Sequence, residues 1–470
     1  MTPLFVRDRD FYKTVVKIAI PISLQSLITI GVNMVDNIMV GSLGEVALSS
    51  VSLANTFIHV FQIFCMGIGM GASVLTSRFW GMQDLPSLRK VVTIMLRLVL
   101  GFGGFFTLVT IFIPQLLMRI YTPDAELVAE GMRYFAWSIP SYLLLGFSLT
   151  CTIVLRSTGQ VRLPLISSLV AFFVNIFFNW LFIFGNLGAP RMGVAGAALG
   201  TMIARVVEFV VICGFFFFRE QRIGYRIRHL FESCRGMVRT YLVVAFPVLV
   251  SDALLAFGQS AVAMIMGRIG AGFVSANAIT AVTQQLSTVL ISGMSNASAI
   301  ITGHTLGEGD VEKAQRQGVT FLTLGVIVGI FAGGLIMAFS GTIIGLYNIT
   351  PETFAIAEQL MLAVGFIIIF QAANSILTKG VLRGGGDTKF LMLADILFLW
   401  VASVPLGALA GLVWHLPAFW IYTLLRIEHV IKAVWCVFRL YSRKWIKRVA
   451  NESFVTRPTG IAPAVKKGSA

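Results

Sequence analysis

The sequence predicts an all-α polytopic membrane protein: twelve transmembrane helices in two parallel six-helix repeats, or lobes, around a central cavity. Three observations lead there. Hydrophobic residues make up 57% of the 470 and charged ones only 12%, with a mean hydropathy of +0.86, where a soluble domain carries about 25% charged residues. Twelve stretches reach the roughly 20 mostly apolar residues that a helical span needs. The chain also aligns with itself at an offset of 226, which pairs Pro21 with Pro247, Gly41 with Gly267, Gly67 with Gly293, Gly81 with Gly307 and Asp84 with Asp310 without a gap. At 227, "VLRSTG" (154–159) falls on "VLRGGG" (381–386). Six spans return each half to its starting side, so the repeats are parallel about an axis along the membrane normal, an arrangement of secondary transporters with a site between halves.

The elements follow in order. The opening "MTPLFVRDRDFYK" is charged and lacks a small-residue cleavage site, so the first span, 14–41, reads as an uncleaved insertion signal. Spans 47–77, 91–113, 127–155, 163–185 and 194–218 complete an N-terminal lobe, 1–218. The basic segment 219–239, "REQRIGYRIRHLFESCRGMVR", is a linker with the makings of an amphipathic surface helix. Spans 240–267, 273–305, 318–340, 355–382, 390–412 and 418–438 form a C-terminal lobe, 240–450. Residues 451–470 have the composition of a disordered tail.

A net charge of +15 suggests nucleic acid until its distribution is traced. Of the 36 Lys and Arg, all but eight fall in the N-terminus, one set of alternate loops and the tail. Arg119, Arg133, Arg191 and Arg268 lie at the other face, and Arg97, Arg205, Arg426 and Lys432 within spans. That asymmetry is the positive-inside pattern, which puts both termini in the cytoplasm of a cell membrane and makes anionic lipid, not nucleic acid, the partner of the basic surface. The five cysteines are scattered, with neither disulfide nor metal spacing. The glycines of "GIGMG" (67–71) read as close helix packing, and "RGGGDTK" (383–389) lacks P-loop spacing. No G-x-S-x-G or H-E-x-x-H occurs, so the expectation is not an enzyme, without cofactor, drawing on an ion gradient.

A carboxylate in hydrocarbon costs roughly 2.5–3.5 kcal/mol at a helix centre, which makes Asp36, within "VNMVDNIMVG", a functional candidate. It lies six residues before Ser42, roughly 9 Å below the outer end of the span. Asn175 and Asn179 share one face of span five at a similar depth, and Thr201 stands seven residues into span six. Carboxylate, amide and hydroxyl oxygens suit a hard cation, and one carboxylate balances Na⁺ or H⁺ better than a divalent ion. Amide bonding between helices, with Asp36 merely capped, is the plainer alternative. The second half has Val262, Ala402 and Leu406 at the repeat positions of Asp36, Asn175 and Asn179. It carries instead Asp252 and Asp395, opposite Ser26 and Ser168, candidates for contact with a cationic substrate or a proton. Gln25, Gln259, Gln284, Gln285 and Asn374 are cavity candidates, with interhelical bonding as their commoner use. The spacings of Arg205 with Glu208 and of Glu428 with Lys432 predict local neutralisation.

The pattern "P...Q.......N..D..MVG.LG" in "IAIPISLQSLITIGVNMVDNIMVGSLG", its echo "FPVLVSDALLAFGQSAVAMIMGRIG", and "VLRGGGDTK" resemble the multidrug and toxic compound extrusion (MATE) family, NorM-like branch. The resemblance runs to about residue 445. It implies two lobes forming a V-shaped cavity and export of bulky, often cationic, drug-like molecules by exchange for Na⁺ or H⁺, with a functional monomer expected. It also implies a cation, Na⁺ among the possibilities, at Asp36, Asn175, Asn179 and Thr201. NorM-type members usually add a glutamate on helix seven, for which Asp252 is the substitute here. The rival is a lipid-linked precursor or polar-metabolite flippase of the same superfamily, against which the scarcity of Arg and Lys in the spans weighs.

Overall fold

The computed structural model of the chain describes residues 5–347 and 349–447; the tail expected at 451–470 lies outside the described residues. Helices α1 (Arg9–Gly41), α2 (Glu45–Gly81) and α3 (Leu85–Phe112) form the first three spans. After a short α4 (Pro114–Tyr121), the fourth span is built from α5 (Ala125–Ser138) and α6 (Ser141–Ser157), bent by 57° at the break. Pro140 sits in that break, where it has no N–H to continue the ladder. Helix α7 (Arg162–Phe184) ends on the left-handed Gly185, and α8 (Val194–Arg219) closes the first lobe.

The second lobe repeats the series with α9 (Arg235–Ile269), α10 (Ala271–Gly307), α11 (Val311–Ile344), α12 (Pro351–Gly384) and α13 (Thr388–Val413). The span expected at 418–438 is two helices, α14 (Ala418–Leu425) and α15 (Ile427–Tyr441), interrupted at Arg426. Among the described residues ten helices are long and apolar enough to span alone, and the bent pair makes eleven; α14 and α15 stand where the twelfth span is expected, in a stretch charged by Arg426, Glu428 and Lys432.

The duplication is visible in the caps. Gly44 and Gly270, with φ of +117° and +153°, precede α2 and α10, a conformation that L side chains resist. Asp84 accepts a hydrogen bond from Ser87 N at 3.1 Å and Asp310 one from Lys313 N at 2.9 Å, capping α3 and α11.

The lobes meet where α1 and α2 pack on α9 and α10, and the contact obeys the repeat. A Cβ placed on Gly67 would stand 3.0 Å from Leu249 Cα, and one on Gly293 2.5 Å from Ala19 O and 3.1 Å from Ser23 Cβ. Ser23 and Leu249 are 226 apart, as are Gly67 and Gly293, so the two contacts are one contact turned about the pseudo-twofold axis. Gly71 against Ala245 serves the close packing expected of the 67–71 glycines. Gly81, Gly303 and Gly307 extend the seam to the helix ends. Each of these approaches lies in the half of its helix nearer the chain termini, the terminal face, and the last three, between α2 and α10, shut the lobes there.

The first helix of each half crosses over. Phe11, Val15, Ile18 and Ile22 of α1 are buried with Ala297, Phe321 and Leu377 of the second lobe, and Phe11 meets Phe321 edge-on with centroids 5.3 Å apart. Met237, Tyr241 and Ala245 of α9 belong to the first lobe's core, where the Tyr241 hydroxyl donates to Ile68 O at 2.8 Å. Pro21 and Pro247 lie at the end of each crossed segment.

Between lobes, residues 220–234 do not form the amphipathic helix expected there; a 3-10 turn over Ile227–Phe231 is their only helical piece. The Glu220 carboxylate instead accepts from the backbone N–H groups of Arg222, Ile223 and Gly224. Arg89 and Arg97 of α3 donate to Ile223 O and Leu230 O at 2.8 Å each. The strap is thus sewn to the first lobe.

Candidate functional site

Helices α1, α7 and α8 bring together all four residues of the expected first-lobe site. Asn179 Nδ2 donates to Asp36 Oδ1 at 2.6 Å and to Asn175 Oδ1 at 3.3 Å, and Asn175 Nδ2 donates to Thr201 Oγ1 at 3.3 Å. Asp36, Asn175 and Thr201 line a cavity of about 460 Å³; Asn179 is buried behind them. Its Oδ1 is buried with no hydrogen-bond partner among the described residues. That oxygen lies on the side of Gly200, off the cavity wall; it is the Asp36 carboxylate, with the Asn175 and Thr201 oxygens beside it, that fits a hard monovalent cation.

Gly200 makes the arrangement possible, a residue that the sequence reading missed. A Cβ there would stand 2.2 Å from Asn179 Oδ1 and 2.9 Å from Asn179 N, and one on Gly196 2.5 Å from Phe182 O. The spacing Gly196-x-x-x-Gly200 was the available signal, since two small residues one turn apart let helix backbones approach closely. Arg205 and Glu208 pair at 2.7 Å, as their spacing predicted, and line the same cavity. Gln25 donates to Ser168 Oγ at 2.7 Å and accepts from Arg156, so its polar groups serve neighbouring helices.

The second lobe holds a separate cavity of about 490 Å³, lined among others by Gln259, Gln284, Asn374, Asp395, Arg426 and Lys432. Asp395 is there, but engaged: Lys432 donates to it at 3.0 Å and Ser251 to its other oxygen. Asp252 is outside the lining and pairs with Arg383 at 3.2 Å. The local Glu428–Lys432 neutralisation expected from spacing does not occur. Lys432 goes across to Asp395 on α13, and Glu428 accepts from Ser403 instead. The glutamines and Asn374 are cross-linked: Gln284 donates to Gln371 at 3.0 Å, Asn374 meets His429 Nδ1 at 3.2 Å, and Gln259 accepts from Arg426. Lys379, which the sequence placed with the loop charges, also lines this cavity. The scarcity of basic residues in the spans, the argument against an anionic cargo, therefore does not hold for this lobe.

A family model, MatE, matches residues 21–181 and 247–409, one stretch in each half. The chain belongs to the MatE family. Those stretches carry Asp36, Asn175 and Asn179 in the first half and Asp252 and Asp395 in the second. Among curated members of the family, the chain is 25% identical over 452 residues to the probable multidrug resistance protein NorM of Thermotoga maritima, covering 93% of this chain and 94% of that one. It is 27% identical over 434 residues to a protein of the same name from Mesorhizobium japonicum, covering 85% and 87%. A solved structure described as the outward-facing conformation of a multidrug resistance MATE family transporter is 20% identical and superposes with a TM-score of 0.83 over 92% of this chain and 96% of its own. At that identity it speaks for the fold, which is the two-lobed MATE transporter fold.

Proposed function

We propose that the chain is a secondary antiporter that exports amphipathic, drug-like organic cations across the cell membrane in exchange for Na⁺ or H⁺. It would work as a monomer without a cofactor, with both termini in the cytoplasm. The observation that carries the reading is the bonded set Asp36, Asn179, Asn175 and Thr201, in which one carboxylate lines a cavity together with an amide and a hydroxyl. The names of the relatives support the cargo class, and the lysine and arginine distribution supports the orientation.

The chemistry follows from linkage. An ion that binds one facing state more tightly than the other shifts the lobes toward that state, and a cargo with the opposite preference is driven against its gradient. Asp36 supplies the charge that a cation neutralises; Asn179 orients the carboxylate, and Asn175 and Thr201 add neutral oxygens. The closed seam on the terminal face gives one of the two states that alternating access needs.

The test is uptake of a fluorescent organic cation into inverted vesicles, driven by a Na⁺ gradient at fixed pH or by a pH gradient without Na⁺. One gradient is expected to drive uptake by the parent protein and neither by Asp36→Asn. Gradient-driven uptake at parental rate in Asp36→Asn would overturn the mechanism. The flippase reading gains from the basic residues of the second cavity; it predicts lipid-headgroup translocation in liposomes that no ion gradient alters in step with organic-cation uptake.

A further inference from the structure

We propose that the second-lobe cavity binds the carboxylate of an amphiphilic cargo, with Lys379 as its anchor and Arg426 as a second cation. This rests on the reading of the chain as an exporter of amphipathic organic cations and narrows the cargo to those that also carry an acid group, that is, zwitterions.

Charge balance carries the argument. Three cations, Lys379, Arg426 and Lys432, and two carboxylates, Asp395 and Glu428, line the cavity. Lys432 and Asp395 cancel as a buried pair at 3.0 Å. Glu428 is 1% exposed and bonded to Ser403. The carboxylate of Asp252 is held by Arg383 at 3.2 Å. Lys379 makes no direct ion pair or hydrogen bond among the described residues, although Asp252 and Asp395 lie near enough to act on its charge, and the partners of Arg426 among those residues are neutral, the Gln259 oxygen and Tyr422, whose ring centroid is 5.9 Å from its guanidinium carbon. The cavity is thus one positive charge in excess. The first-lobe cavity, with Asp36, Glu208 and Arg205, is one negative charge in excess.

An ammonium within a span whose nearby carboxylates are each held directly by another cation is costly and marks a site by default. Its exposure to the cavity fits an anchor whose counter-ion arrives with the cargo. The backbone agrees: Lys379 sits inside a π-helical turn, Ile376–Val381, that interrupts α12, and such turns shift side chains out of helical register, frequently at functional sites. A volume of about 490 Å³ lies within the roughly 300–1,000 Å³ of small-molecule sites. The compact charge of a lysine takes a carboxylate as well as it takes any anion, and the single excess charge matches a monoanion.

The test compares a zwitterionic rhodamine bearing a free carboxylate with its methyl ester, a cation in which a small methyl group replaces the anionic charge. Binding to the purified full chain is followed by fluorescence anisotropy. A charge-assisted hydrogen bond in a water-poor cavity predicts that the acid binds at least about tenfold more tightly than the ester. Lys379→Gln is expected to abolish that preference and Lys379→Arg to keep it, with thermal unfolding midpoints reporting that each variant is folded. An ester that binds the parent as tightly as the acid, or a preference that survives in folded Lys379→Gln, overturns the site while leaving the export reading standing. Failure of the parent to bind either dye overturns the export reading, and the site with it.

Discussion

Substituting Gly81 by alanine should open the terminal face. A Cβ at Gly81 would lie 2.2 Å from His304 O, where ordinary contact begins at 3.4 Å, so α2 and α10 must part by about the missing 1.2 Å. Overpacking of this kind costs about 1–3 kcal/mol. The cost falls on the closed state alone, because the contact exists only while the lobes touch there. The ratio of open to closed forms should then rise about 5- to 160-fold. The readout is the rate at which an impermeant maleimide, supplied from the terminal side, modifies a cysteine in place of Ser77, a residue 1% exposed against Gly303. The native cysteines are all buried. Gly307→Ala, whose Cβ would stand 2.2 Å from Arg78 O, should behave alike by the repeat, whereas Gly104→Ala, with nothing within 4 Å, should label at the parental rate. If Gly81→Ala and Gly307→Ala also label at that rate in folded protein, the glycine seam does not set the closure and the reasoning is refuted.

Asn179→Ala removes the donor to Asp36 and the orphaned oxygen together; loss of such a buried bond costs about 1–3 kcal/mol, so the half-saturating concentration of the driving ion should rise about 5- to 160-fold in vesicle uptake. Gly200→Ala should produce the same defect from a residue with no donor of its own, because its methyl displaces Asn179; unchanged ion dependence would argue against that positioning. Trp445 is fully buried and donates to Gln315 Oε1 at 3.0 Å. Trp445→Ala should cost about 3–5 kcal/mol, seen as a lower thermal midpoint, and leave ion affinity as it was.

Span number, duplication and the first-lobe constellation were legible because each is written in period and spacing. Hydropathy registers every apolar run, and the common depth of Asp36, Asn175, Asn179 and Thr201 follows from counting residues along helices. In the second cavity the expected Gln259, Gln284, Gln285, Asn374 and Asp395 do line the wall, but its charge was not legible, for three physical reasons. Lys379 falls five residues from the C-terminal end of α12, where a charge count assigns it to the loop, and the π-helical turn that presents it has no signature in composition. Glu428 and Lys432 have the spacing of a helical pair, but Asp395 on a neighbouring helix competes for the ammonium and wins. Arg426 breaks the last span where no glycine or proline marks the place. The linker misled in the opposite sense: its basic and apolar residues suit a surface helix, yet Glu220 gathers three backbone N–H groups that a helix would have spent on itself.

The crossed first helices redefine which parts of the chain travel together. A mobile unit is not one half of the gene product but one half minus its leading helix segment plus that of the other, as in two hands that each grip the opposite wrist. Pulling the two sequence halves apart as rigid bodies at the terminal face would strip Phe11 and Val15, and Met237 and Tyr241, from cores that bury them. Flexing at Pro21 and Pro247, where the helix ladder already lacks a hydrogen bond, leaves both grips intact. The exchange therefore confines the large changes in backbone angle to two prolines, and it forbids either half from completing its own core without the other.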